Sequence, residues 1–278
     1  MILVKNALQL EKMRTAGMLL YDILQRLSEV VAPGVTTREI NALAHRLITE
    51  NNAVPSFLNY KGFPASLCTS VNEIVVHGIP DDKPLREGDI LGIDCGLILD
   101  GWHADSAFTA PVGKISDEAE RLIAAAERCF WTAASLARKG NRIGDLGSAV
   151  HEYAKSQGFD VVRELCGHGI GRNMHEEPEV PNFGKAGRGQ RLVPGMTIAV
   201  EPMITAGKQD VDMDGWLVRT RDRRYCSHYE HTLVITDGEP EILTMPPDVA
   251  AKRAAASLSA SGATDSPRAA LHSVTANA

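Results

Sequence analysis

LREGDILGID (Leu85–Asp94) and LVPGMTIAVE (Leu192–Glu201) read as one pattern written twice. Leu85 faces Leu192, Gly88 faces Gly195 and Asp94 faces Glu201 at a constant offset. In each, a glycine turn opens an apolar run that ends on a carboxylate. Acids are depleted in strands, so matched acids at strand ends point to a use. Upstream, Pro33-Gly34 and a helical pattern ending near Asn52 resemble Lys139-Gly140 and a helical pattern ending at Gly158. Downstream, at a different offset, His103-Ala-Asp105 matches His228-Tyr-Glu230. The repeat predicts two αβ halves, about 10–112 and 113–247, each delivering two strand-borne acids.

Asp100-Gly101 stands between two β-type runs, Ile90–Leu99 and His103–Val112, and is a strong two-residue hairpin signal. Leu99 then pairs with Trp102, Asp105 lies opposite Gly96, and Asp94 sits two residues away on the same face. Diagonal neighbours on a sheet stand roughly 7–8 Å apart, near enough for two carboxylates to converge on one cation. Without a cation their repulsion would push a pKa upward. Glu201 and Glu230 adjoin the runs Ile198–Val200 and Leu233–Ile235, which read as buried strands where an unpaired carboxylate is costly. Four inward-facing carboxylates predict a metal centre, which a histidine would complete. His168 in CGHGIG, His175 and His77 in VVHGIP are the candidates. His45 and His151 fall at matching helix positions and read as packed or surface groups. His103, His228 and His231 flank the acids and read as groups that orient ligands.

Apolar spacing predicts a first helix from about Leu10 to Val31, with Met13, Ala16, Leu20, Ile23, Leu24 and Leu27 on one stripe. Thr36 and Glu39 form a capping box for a second. A third starts after Ser116, a fourth near Asp145, and Met196–Met203 and Glu230–Thr236 read as strands. The stretch 248–278, rich in Ala and Ser, is expected to be a mobile tail, with an Ala-rich helix as the alternative for its first turns.

Length suggests one large domain or two small ones, and the chain is read as one catalytic domain over residues 1–247. The 278 residues are 44% hydrophobic and 23% charged, which excludes disordered, collagenous and coiled-coil classes. A net charge of −6 disfavours nucleic acid as a partner, although Lys208 and the Arg219–Arg224 run form a local basic candidate. The opening apolar residues stop at Lys5, too soon for a secretory h-region. Five scattered cysteines form no CxxC pair. The expected setting is the cytoplasm, with no membrane partner.

The segments PSFLNYKGFPASLC, NEIVVHGIP, GIDCG, CGHGIG, HEEP, IAVEPMI and YEHT follow one another in an order that resembles type I methionine aminopeptidases. The resemblance spans about Leu10 to Leu243. It implies the α+β pita-bread fold, in which pseudo-two-fold αβ halves share a central curved antiparallel sheet with helices outside. It implies a monomeric metallo-exopeptidase that removes the initiator methionine of nascent polypeptides when the second residue is small. Hydrolysis would use a water bridging two divalent ions (Co, Mn, Fe or Zn), and transient ribosome contact would accompany it. Carried onto this sequence, the ligands are Asp94, Asp105, His168, Glu201 and Glu230, with Asp105 and Glu230 bridging. His77, His175 and Glu201 become catalytic, and Phe57, Tyr60, Phe63, Cys68, Met174 and Trp216 line the methionine pocket together with His77 and His175. This sequence departs from the pattern at Ala104, usually glycine, and at His228, a place the family often fills with a neutral polar residue. The rivals are a proline-directed aminopeptidase or dipeptidase of the same fold, a type II enzyme, a binding module that has lost its metal, and a nucleic-acid or ribosome binder.

Overall fold

Asn6 and Gln9 cap the first helix reciprocally. The Asn6 side chain accepts from the Gln9 amide at 3.0 Å, and Gln9 Oε1 accepts from the Asn6 amide at 2.9 Å. The helix they open, α1 (Ala7–Glu29), buries the stripe from Met13 to Leu27 that its spacing predicts. Thr36 and Glu39 do the same for α2 (Thr37–Glu50). The first half continues through β1 (Val54–Pro55), β2 (Leu67–Val71), β3 (Ile74–Val76), β4 (Ile90–Leu99) and β5 (Trp102–Pro111). The second runs through α3 (Asp117–Leu136), α4 (Ile143–Ser156), β6 (Asp160–Val161), β7 (Cys166–Gly169), β8 (Glu176–Pro181) and β9 (Thr197–Val200). It closes with β10 (Met203–Thr205), β11 (Val211–Asp214), β12 (Leu217–Thr220), β13 (Cys226–His228), β14 (Glu230–Val234), β15 (Glu241–Ile242) and α5 (Pro247–Ser259). The computed structural model describes residues 2–259.

One antiparallel sheet of nine strands carries the order β1-β4-β5-β14-β9-β7-β8, with β2 on β4 and β15 on β14. Helices cover one face of it. Leu91, Ile93, Cys95 and Leu97 of β4 pack with Ala16, Leu20, Ile40 and Leu47 of α1 and α2. Ile198, Val200 and Leu233 pack with Leu122, Phe130, Leu146 and Val150 of α3 and α4. Because strand side chains alternate, the even residues of β4 and the odd residues of β9 are turned to the other face. That face carries the chemistry.

The internal repeat holds down to individual hydrogen bonds. The Gly34 amide donates to Leu85 O at 2.8 Å and the Leu85 amide to Val35 O at 2.8 Å. Their counterparts run from Gly140 to Leu192 O at 3.0 Å and from Leu192 to Asn141 O at 2.8 Å. Gly88 and Gly195 both turn with left-handed backbone, φ 95° and 84°. The hairpin register is also as expected, with Leu99 opposite Trp102 and Gly96 opposite Asp105.

Three expectations are corrected. The Met196–Met203 run is not one strand, because Pro202 has no amide to continue the ladder and β9 ends at Val200. The likeness of Asp105 to Glu230 is out of step with the ladders. Asp94 pairs with Ala107 and Gly96 with Asp105, whereas Met203, the counterpart of Gly96, pairs with His228. By register His228 is therefore the mate of Asp105, and Glu230 the mate of Ala107. Matching by residue type alone slid the second strand by two. Finally, the first turns of the supposed tail form α5, whose Val249, Ala250 and Ala254 pack on the core and whose Arg253 meets Glu127 at 3.0 Å. Residues 260–278, His272 among them, lie outside the described residues.

Candidate metal centre

Two neighbouring rungs of the large sheet assemble the site. In one, Cys68 pairs with Asp94, Asp94 with Ala107, and Ala107 with Glu230. Glu201 falls opposite Glu230, one step beyond the His231–Val200 pair. In the other, Gly96 pairs with Asp105, and Ala199 with both Thr232 and His168. The Thr232 hydroxyl bridges this rung by donating to Asp105 O at 2.9 Å. All these residues share one face by alternation, and the places between the acids are filled by Ala107, Gly96, Thr232 and Ala199. Small residues leave the carboxylates room to lean together. A Cβ on Gly96 would stand 2.9 Å from the Phe57 ring and 3.2 Å from Asp105 Oδ1.

The five residues border a cavity of about 230 Å³. Asp105, His168 and Glu230 are buried. Asp94 Oδ1, Asp105 Oδ1, Glu230 Oε1 and His228 Nε2 are buried without a hydrogen-bond partner. Burial raises all four carboxyls above their ordinary range, taking Asp94 to about 7. Mutual repulsion adds to this, from Asp94 on Asp105 and Glu201, and from Asp105 and Glu201 on Glu230. Their ion-pair contacts among the described residues are to imidazoles: His168 Nε2 lies 3.6 Å from Glu201, and His228 Nε2 lies 3.6 Å from Glu230 and 3.8 Å from Glu201. Burial lowers both imidazoles, so they stay neutral and cannot balance the acids. Four carboxylates can be ionised together here only around an added cation. Two sets of donors suit one: Asp94, His228 and Glu230, and Asp105, His168 and Glu230, each with ligand atoms within 4.8 Å of one another.

Beside the acids, Phe57, Phe63, Ala65, Cys68 and Met174 form an apolar cluster against which Tyr60 and Trp216 pack. Trp216 comes from the β11–β12 turn and meets Phe63 edge-on at 5.4 Å between centroids. His77 follows β3, meets the Trp216 ring at 5.8 Å, and is lowered by burial. His175 Nδ1 lies 2.9 Å from the Tyr60 hydroxyl. Burial, then repulsion by His168, takes His175 down to about 4.

Every site residue assigned from the sequence borders this one cavity, metal candidates and apolar lining alike. Leu165, Cys166, Val76, Met203 and Lys61 border it too and had no assigned place there, as does His228, which was read only as a group orienting a ligand. Of these His228 alone was legible, since it lies two residues before Glu230 and so on its face. His103, two residues before Asp105, shares its face but bonds Ser56 at 2.9 Å and does not border the cavity, whereas His231 is turned to the other face and bonds Ser106 at 3.0 Å. His45 bonds Ser66 at 2.9 Å, away from the site. The basic run is largely neutralised, with Arg221 and Arg223 on Asp212 and Arg224 on Glu118. No helix among the described residues is long and apolar enough to cross a membrane.

An acid-lined metal pocket on a duplicated α+β frame is what metal-dependent hydrolases use. The chain belongs to metallopeptidase family M24, whose model matches residues 11–237. Within that family its relatives are methionine aminopeptidases. The enzyme of Clostridium perfringens is 47% identical over 247 residues, covering 88% of this chain and 99% of that one. Methionine aminopeptidase 1 of Bacillus subtilis is 42% identical over 246 residues, covering 88% and 99%. The crystal structure of the Rickettsia prowazekii methionine aminopeptidase superposes with a TM-score of 0.87 at 43% identity, covering 88% of this chain and all of that one. The fold is the pita-bread α+β fold, and membership of a metallopeptidase family implies divalent metal ions.

Proposed function

We propose that this chain is a metal-dependent aminopeptidase that removes the initiator methionine from nascent polypeptides whose second residue is small. The observation that carries this is the union, in one cavity, of four carboxylates, two of them fully buried, and an apolar pocket lined by aromatic rings. Asp94, Asp105, His168, Glu201 and Glu230 would hold the divalent ions. When bound, they would supply a water of lowered pKa, a Lewis acid for the scissile carbonyl and an anchor for the free α-amine. An oxygen-rich set with imidazole suits Mn²⁺, Fe²⁺, Co²⁺ or Zn²⁺.

The chain's own groups perform the proton work. In the tautomer for which the Tyr60 hydroxyl donates to His175 Nδ1, the ring proton is on Nε2 and can be given to the carbonyl oxygen as charge develops there. Its lowered pKa keeps that ring neutral at working pH. His77 contacts the scissile amide nitrogen. Glu201 takes a proton from the attacking water and passes it to the leaving amine. Phe57, Phe63, Trp216, Cys68 and Met174 receive the thioether, for which sulfur–aromatic contacts contribute about 0.3–1.5 kcal/mol each. The walls of this confined cavity limit the second residue to small side chains.

The enzyme is read as a monomer, and its five free cysteines suit the cytoplasm. Nascent chains bring the enzyme transiently to the ribosome. Lys208 and Arg219, without an ion pair among the described residues, are the charges left for that contact. The test strips the metal, adds graded Mn²⁺ or Co²⁺, and offers Met-Ala-Ser and Xaa-Pro peptides. Free methionine released only with metal supports the reading, and cleavage confined to Xaa-Pro moves the chain to the proline-directed branch.

A further inference from the structure

His228 occupies in the second half the ladder position that Asp105 occupies in the first. It is 4% exposed. The Thr109 hydroxyl fixes its backbone, accepting from its amide at 3.0 Å and donating to its carbonyl at 2.9 Å. Its Nε2 faces the acids with no hydrogen-bond partner. The separations of 3.6 Å from Glu230 Oε2 and 3.8 Å from Glu201 Oε2 are too long for hydrogen bonds. They match the 3.6 Å between His168 Nε2 and Glu201 Oε1. Two donors each roughly 2.1 Å from one ion stand about 3–4 Å apart, the range seen at both histidines.

We propose that His228 is a further metal donor, its Nε2 joining Asp94 and Glu230 as His168 joins Asp105 and Glu230. The inference rests on reading the acids as metal-holding. It gives each of the two donor sets one imidazole, and the ion on the Asp94 side a nitrogen ligand. That raises affinity there and moves preference along the divalent series, away from Mn²⁺ and toward Co²⁺ and Zn²⁺.

The test loads the metal-free full chain with Zn²⁺ alone, counts imidazole ligands by X-ray absorption, and measures affinity by calorimetry. Expected are two imidazoles per pair of ions in the unaltered protein and one in His228→Gln, with the ion on the Asp94 side weakened by at least the roughly 10–100-fold that loss of an outer-shell partner alone costs. His168→Ala should also keep one imidazole, so the inference stays testable if His228→Gln fails to fold. An unchanged imidazole count in His228→Gln overturns it, including the case in which affinity falls through a lost hydrogen bond. A protein that takes up no Zn²⁺ overturns the metal reading itself, whereas two ions with a single imidazole overturn only the place of His228.

Discussion

The two halves place their acids differently. In the first, Asp94 and Asp105 stand on an uninterrupted hairpin of two ten-residue strands closed by Asp100-Gly101. In the second, Glu201 and Glu230 stand where β9 and β14 leave the large sheet, at Pro202 and Tyr229. The longer side chain is found where the backbone bends away. The broken half also gains a long excursion between β10 and β13, which delivers Trp216 to the pocket. Duplication thus supplies the frame, and the asymmetry supplies the substrate site.

The backing differs as well. Behind Asp94 lie Leu91, Ile93 and Cys95 in an apolar core. Behind Glu230 lies a polar chain in which His231 meets the Tyr229 hydroxyl at 3.2 Å and Thr244 at 2.9 Å. Tyr229 is in turn joined to Arg253 and Glu127. Helix α5 therefore backs the second half through α3 and β15, with Tyr21 of α1 beside its Arg253.

The largest effect is expected on the hairpin. Asp105→Asn should lower kcat/KM by several kcal/mol, about 10³-fold or more. The same change should raise the melting temperature of the metal-free protein at neutral pH, since it removes a buried carboxyl that folding must keep protonated. Steady-state kinetics and calorimetric melting check both. His175→Ala, with metal content intact by elemental analysis, should lose about 10²–10³ in kcat. Full turnover in that variant would overturn its role as donor. Trp216→Ala breaks the pocket without touching the acids, so KM for Met-Ala-Ser should rise about tenfold with kcat nearly held. Arg253→Ala should cost about 1–2 kcal/mol in urea unfolding while Zn²⁺ affinity is retained.

The smallest effect is a pH slope. Asp94 titrates at about 7 in the folded chain against an ordinary 3.8, so the metal-free fold holds a proton that the unfolded chain has released. Stability from such groups is present at low pH and lost as pH rises through the folded pKa. Buried imidazoles such as His175 oppose this only below 6.5, their ordinary value. From there to about pH 8.5 the melting temperature of the metal-free protein should fall by a few degrees. Saturating Mn²⁺ should abolish or reverse the slope, because it selects the ionised acids.

Much of this was legible in the sequence. The hairpin register followed from Asp100-Gly101, because a two-residue turn leaves no freedom in pairing. The stripes of α1 and α2 and their caps followed from spacing and local hydrogen bonding. What was not legible depends on partners distant in the chain. The slip between Asp105 and Glu230 shows only when both ladders are compared, and α5 is held by contacts to α3 that Ala and Ser do not announce. His228 was half visible, since alternation put it on the face of Glu230, but only the ladder showed which partner it replaced.

Anomalous diffraction from crystals soaked in Mn²⁺ addresses the joining of the halves most directly. Two peaks bounded by Asp94 and Asp105 on one side and Glu201 and Glu230 on the other are predicted. Carboxylates turned to solvent, with no anomalous density between them, would contradict it.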